Sequence, residues 1–252
     1  MSCDNKIVSI NRLSEANPDG CFWPVIFVEN CNLRCPYCIN SVSIVAPQKE
    51  HKTFSVKQIV DQLDEWGEDG VMISGGEPLI PDEESSIFGI IELLRSHGIN
   101  IGISTNGTWP NELQKLIKSD LVNFVALDCK FNPVLPTEDI IKYSHLLGGY
   151  PNMARDMLLS LNVLYDWHES NPDTACSEVR TTLYPELIDK LDIIAIADNV
   201  HHKSRFVLQQ YRKNTCFNGK KNIIEPYSSD YANYLLEVAR NNCESKVDLR
   251  WP

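Results

Sequence analysis

The chain has 252 residues, 43% of them hydrophobic and 23% charged, and a formal net charge of −11. That balance is ample for a core, and the negative charge argues against a nucleic-acid partner, whose phosphates it would repel. No apolar run is long enough to span a bilayer, and MSCDNKIVSI lacks the basic-then-apolar layout of a secretory signal. A cytoplasmic location is therefore expected, with no membrane partner and with the nine cysteines mostly reduced.

In chain order, a β-favouring run, PVIFV (24–28), comes first and leads into a cysteine-rich loop. Ser55 and Gln58 then have the spacing of a capping box, and Val56, Ile59, Val60 and Leu63 form one apolar stripe, which predicts a helix. Five more β-favouring runs follow: VMIS (71–74), INIGIS (99–104), VNFVAL (122–127), EVRTTLY (178–184) and SRFVLQ (204–209). Helical periodicity is expected over roughly 84–97, 110–119, 153–168, 185–199 and 229–241. Six strands alternating with six helices predict a parallel α/β arrangement, either an open doubly wound sheet or a partial barrel. No Gly-, Ser- or Pro-rich linker divides the chain. One domain over residues 1–252 is expected, with its core at about 22–213 and a helical extension at about 214–252.

In either architecture the chemistry belongs at the C-terminal ends of the strands. The notable polar segments fall there: CNLRCPYC (31–38) after the first run, SGGEP (74–78), STNG (104–107) and LDCK (127–130). Cys31, Cys35 and Cys38 are three soft ligands without a fourth close by. A structural zinc site needs one more Cys or His, His51 being the nearest candidate, whereas a catalytic zinc could keep water there. A [4Fe–4S] cube on three cysteines is the other soft-thiolate solution and leaves one iron open to a ligand. The two glycines of SGGEP let a ligand approach the main chain, and Glu77 offers an acceptor, though a plain turn would use the same residues. Strand alternation puts Ala126, Asp128 and Lys130 on one face, with Leu127 and Cys129 on the other. An interior Asp and Lys need each other or a ligand. Arg180, sharing a face with Thr182, suits either a ligand carboxylate or Asp128.

CxxxCxxC with an aromatic residue, Tyr37, before the last cysteine resembles the signature of the radical S-adenosylmethionine (SAM) enzymes. The resemblance implies a partial (βα)6 TIM-like barrel and two cofactors, a [4Fe–4S] cluster on Cys31, Cys35 and Cys38, and SAM as the open iron's ligand. Electron transfer into the sulfonium would break a C–S bond and give a 5′-deoxyadenosyl radical. Gly75, Gly76 and Glu77 match the element that receives the methionine amino group, and D-x-K, here Asp128 and Lys130, lies against SAM in the glycyl-radical-enzyme activases of that family. Ser104, Asn106, Tyr37 and Arg180 complete the expected cofactor-binding set; in those activases STNG usually reads DTNG, so Ser104 replaces an acidic residue.

Together with Asn40, these motifs look most like the activating proteins of anaerobic ribonucleoside-triphosphate reductases, although Ile39 stands where those proteins frequently carry His. That likeness implies an oxidoreductase that abstracts hydrogen from a glycine of a partner reductase, fed by a flavodoxin- or ferredoxin-type donor. The alternatives are a radical SAM enzyme acting on a peptide or a deazaguanine-type small molecule, and a non-enzymatic zinc module. One of the glutamines in VLQQYRK (207–213) is expected to line the site. Cys3, Cys21, Cys129, Cys176, Cys216 and Cys243 are expected to be buried or incidental thiols, and the six histidines to lie at the surface.

Overall fold

The computed structural model describes residues 7–16, 22–40, 54–81, 87–213 and 223–251. Among them, one sheet of eight strands runs in chain order: β1 Ile7–Ala16, β2 Phe22–Val28, β3 Gly70–Gly75, β4 Asn100–Thr105, β5 Phe124–Asp128, β6 Ser177–Leu183, β7 Arg205–Gln210 and β8 Val247–Arg250. β1 is antiparallel to β2, and every other neighbouring pair is parallel. The sheet stays open, because β1 and β8 are not hydrogen-bonded to each other. This is the expected partial barrel, with two strands beyond the expected six.

The helices are α1 Val56–Trp66, α2 Ile87–Ser96, α3 Pro110–Lys118, α4 Thr137–Leu146, α5 Met153–Ser170, α6 Lys190–Ala197 and α7 Ser229–Asn241. The capping box at α1 forms as its spacing predicts: the Gln58 backbone N–H donates to Ser55 Oγ and the Ser55 N–H to Gln58 Oε1, at 3.3 and 2.9 Å. Ile59, Val60 and Leu63 are its buried stripe. Helix α5 buries Met157, Leu161 and Leu164 in the same way. Inside the curl of the sheet, Val25, Met72, Phe124 and Ala126 pack into a second, smaller apolar cluster with Trp23 and Phe27 around it. No helix of the described residues is long and apolar enough to cross a membrane.

Three elements depart from the sequence expectation. Helix α4, between β5 and α5, has a weak apolar face and only Ser144 buried. β1 pairs with β2 through irregular register, so its residues alternate poorly. β8 is four residues long, and it draws the segment expected to be a helical extension into the sheet beside β7. Ion pairs stitch it there: Arg250 donates twice to the fully buried Glu178, at 2.9 and 2.6 Å, and Arg205 meets Asp248 at 2.6 Å.

Two histidines are also not at the surface. His168 and His201 are buried, with rings stacked at 4.9 Å and nearly parallel. His168 Nε2 meets Ser177 and Ser204 hydroxyls, and burial, aided by the neighbouring His201, pushes its pKa down to about 4.

Candidate active site

Four strand ends and the loop after β2 build the site. The chain leaves β2 through Asn30, in the left-handed region at φ 63°, a conformation Asn tolerates better than most residues. It then enters the cysteine loop. Gly75 at φ +109° turns the chain out of β3, and a Cβ on Gly76 would lie 1.7 Å from the Asn30 carbonyl oxygen. Only glycine permits this approach, which lets the Gly76 and Glu77 N–H groups donate to Val28 and Asn30 carbonyls at 2.9 and 2.8 Å. The GGE turn and the start of the cysteine loop are thus one hydrogen-bonded unit. Asn40 closes the other end of the loop by donating to the Gly75 carbonyl at 2.9 Å.

The TNG turn after β4 is tied in by a buried carboxylate. Glu77 accepts from the Leu79 N–H at 3.0 Å, the Thr105 hydroxyl at 2.7 Å and the Asn106 N–H at 2.7 Å. Burial pushes its pKa up to about 7 against the pull of these donors. The sequence suggested an acceptor for a ligand's ammonium; the structure shows a carboxylate engaged between two turns. Asn106 in turn donates to Asn32 at 2.9 Å and approaches Cys31 Sγ at 3.9 Å, while Asn32 donates to Thr108. Asn32 and Thr108 went unnoticed in the sequence, where no spacing marks a contact between residues so far apart in the chain.

On the opposite side, Asp128 at the end of β5 receives Arg180 Nε at 2.8 Å and Lys130 Nζ at 3.0 Å. Burial would raise its pKa, but the guanidinium and ammonium beside it outweigh burial and hold it below the usual carboxylate range. Arg180 also donates to Ser104, joining β4, β5 and β6. Cys129 faces away from the site into the core, where burial pushes its thiol up to about 12. The segment after α4 supports the cysteine loop from behind, through the Arg34 N–H to the Leu147 carbonyl at 2.7 Å.

All twelve residues singled out from the sequence line a single cavity of about 620 Å³: Cys31, Cys35, Tyr37, Cys38, Gly75, Gly76, Glu77, Ser104, Asn106, Asp128, Lys130 and Arg180. That volume is within the range of about 300–1,000 Å³ common for ligand and cofactor sites. The cavity also takes in Thr182, Gln209, Gln210, Arg212, Arg250 and Trp251. His51, the nearest candidate fourth ligand, lies outside the described residues, as do Cys3, Cys21 and Cys216. Among the described residues, no His, Cys, Asp or Glu group is placed to hold a single metal ion.

An open, mostly parallel barrel with three cysteines lining one cavity points to a metallocofactor protein, and comparison with known proteins specifies it. Residues 25–131 match the radical SAM superfamily. A Methanocaldococcus jannaschii protein, provisionally assigned as a glycyl-radical enzyme activating enzyme, is 30% identical over 190 residues, 74% of this chain and 72% of that protein. The chain belongs to the radical SAM superfamily, whose enzymes use a [4Fe–4S] cluster and SAM. A 7-carboxy-7-deazaguanine synthase from Aquifex aeolicus is 33% identical over 95 residues, 36% of this chain and 41% of that protein. The solved structure of TYW1 with a lysine–pyruvate adduct bound shares the fold, with a TM-score of 0.58 at 16% identity over 89% of this chain and 74% of that one.

The donor set fits such a cluster. The Leu33 N–H points at Cys31 Sγ at 3.4 Å, and the Asn40 N–H donates to Cys38, contacts that stabilise sulfur bearing negative charge. Burial nevertheless pushes Cys31 up to about 11 and Cys35 up to about 12, and raises Cys38. Without metal the three are thiols. Iron would draw off their protons, which couples metal loading to the order of the loop.

Proposed function

We propose that this chain is a glycyl-radical-enzyme activase, with an anaerobic ribonucleoside-triphosphate reductase as its protein substrate. The observation that carries this reading is the likeness to the Methanocaldococcus jannaschii protein over most of both chains. Cys31, Cys35 and Cys38 would hold the cluster. Tyr37, Gly75, Gly76, Ser104, Asn106, Asp128, Lys130 and Arg180 would surround SAM, with Glu77 fixing the turns that carry Gly76 and Asn106. When bound, the reduced cluster and SAM supply one-electron cleavage of a carbon–sulfur bond and abstraction of hydrogen from carbon. The chain's own groups set the stage. Lys130 and Arg180 keep Asp128 ionised as an acceptor for hydroxyl groups, and Trp23 and Phe27 pack on the apolar cluster of Val25, Met72, Phe124 and Ala126 beside the site. In the balanced reaction one electron, SAM and a glycine Cα–H become methionine, 5′-deoxyadenosine and a glycyl radical. A cytoplasmic location, a single radical SAM domain and a flavodoxin- or ferredoxin-type donor belong to the same reading.

The test is anaerobic. Reconstituted protein, SAM and dithionite are mixed with the reductase, and the radical is followed by electron paramagnetic resonance. One 5′-deoxyadenosine per glycyl radical is expected. SAM cleavage without any radical on the reductase would overturn the activase reading and favour a small-molecule substrate, the alternative that the deazaguanine synthase relative suggests.

A further inference from the structure

The wall of the cavity facing away from the cysteines is built by β6, β7 and β8, and the groups discussed so far leave part of it unused. Thr182 pairs in register with Gln209, and Gln209 with Arg250, so the three side chains form one row across three strands, and all three line the cavity. Strand alternation separates the two glutamines. Gln210 also borders the cavity, but its side chain is tied down, donating to the Tyr227 carbonyl at 2.6 Å, while Gln209 shares its inward face with Arg205 and Val207.

Three of the charges along this wall are already committed. Arg250 is held by both oxygens of Glu178 at 2.9 and 2.6 Å, and Arg180 and Lys130 are held by Asp128. By contrast, the Thr182 hydroxyl and the Gln209 carboxamide have no side-chain partner among the described residues. Both are half-buried. Trp251 follows at the rim, 47% exposed, with its ring available to cover whatever enters.

We propose that Thr182 and Gln209 form a substrate subsite for an uncharged peptide amide, bounded at the mouth by Trp251. A carboxamide presents one acceptor and two donors in a plane, which matches the N–H and C=O of an extended peptide group. A phosphate or carboxylate calls for a cation to pair with it, and Arg250, Arg180 and Lys130 each already hold a carboxylate. The subsite therefore selects a neutral polypeptide segment over a nucleotide. It rests on the activase reading and deepens it: the row grips the main chain beside the reacting glycine and sets its depth in the cavity. Thr182 and Gln209 are specificity residues and take no part in the chemistry.

The test uses the reconstituted protein saturated with SAM and titrated by calorimetry with acetyl-Ala-Ala-Gly-Ala-Ala-amide, with GTP as the charged comparator. The peptide binds and GTP does not. Gln209→Leu and Thr182→Val, both nearly isosteric, each weaken peptide binding by about 5- to 10-fold, the effect of one lost hydrogen bond, with iron content and melting temperature unchanged. If Gln209→Leu does not fold, Thr182→Val carries the test alone. Undiminished peptide binding in the variants, no peptide binding at all, or preference for GTP overturns the subsite. The activase reading fails separately: peptide binding that depends on Gln209 while no radical forms on the reductase leaves the peptide subsite standing and removes the reductase.

Discussion

Replacing Gly76 by alanine tests whether the GGE turn positions the first cysteine. The new Cβ would sit 1.7 Å from the Asn30 carbonyl oxygen, 2.5 Å from its carbon and 2.9 Å from the Glu29 oxygen. All three are backbone atoms, so no side chain can swing aside. Restoring an ordinary contact requires a backbone shift of well over about 1 Å, and Cys31 follows Asn30 directly. Overpacking costs about 1–3 kcal/mol, and loss of the Glu77 N–H to Asn30 hydrogen bond adds about 1 kcal/mol. The sum, about 2–4 kcal/mol, corresponds to a fall in melting temperature of roughly 5–15 °C for a chain of this size. Thermal unfolding of the metal-free protein by circular dichroism measures that fall, and iron per chain after reconstitution measures the displacement of Cys31. Gly89→Ala is the control: nothing lies within 4 Å of its Cβ, and alanine in helix α2 should stabilise by about 0.5–1 kcal/mol. A Gly76→Ala protein with unchanged melting temperature and full iron would refute the role given to this turn.

Three further outcomes are expected. Glu77 ionises near 4.5 when unfolded but near 7 when folded, so its contribution is intact below the lower value and lost as pH rises through the higher one. Metal-free protein should lose on the order of 3 kcal/mol between about pH 5 and 8 from this group alone, and urea unfolding of Glu77→Gln should lack that slope. Arg180→Met leaves Asp128 with Lys130 alone and should cost about 2–4 kcal/mol at neutral pH. Because the folded pKa of Asp128 is depressed despite burial, chiefly by Arg180, its contribution is present above the unfolded value and lost as pH falls, so the acid limb of the urea midpoint becomes shallower in this variant. Alanine at Cys31, Cys35 or Cys38 should abolish iron loading, whereas Cys129→Ala, in the core, should retain iron and sulfide near the wild-type amounts.

The parts of the fold carried by local pattern were legible. Apolar runs located β2 to β7, and the Ser55 box located α1, because each is decided by neighbours in sequence. β8 was not read: VDLR alternates apolar and polar residues, but over only four positions, and the pairing of Arg250 with Glu178 from β6 that helps hold it in the sheet is not visible in sequence. His168 had a readable signal that was passed over. It continues the stripe of Met157, Leu161 and Leu164 at helical spacing, which predicts a buried position whatever its polarity. Within the site, alternation correctly separated Asp128 and Lys130 from Cys129. The partners of Glu77 were hidden, since Thr105 and Asn106 reach it only after two parallel strands are laid side by side. The same holds for Gln209: only the register shows that it stands in one row with Thr182 and Arg250.

The central claim is that three cysteines hold an iron–sulfur cluster that opens SAM to reduction. Anaerobically reconstituted protein should contain about four irons and four sulfides per chain, bleach in the visible with dithionite, and then release 5′-deoxyadenosine from SAM. Stoichiometric zinc bound through Cys31, Cys35 and Cys38, with SAM left intact under the same reduction, would contradict it.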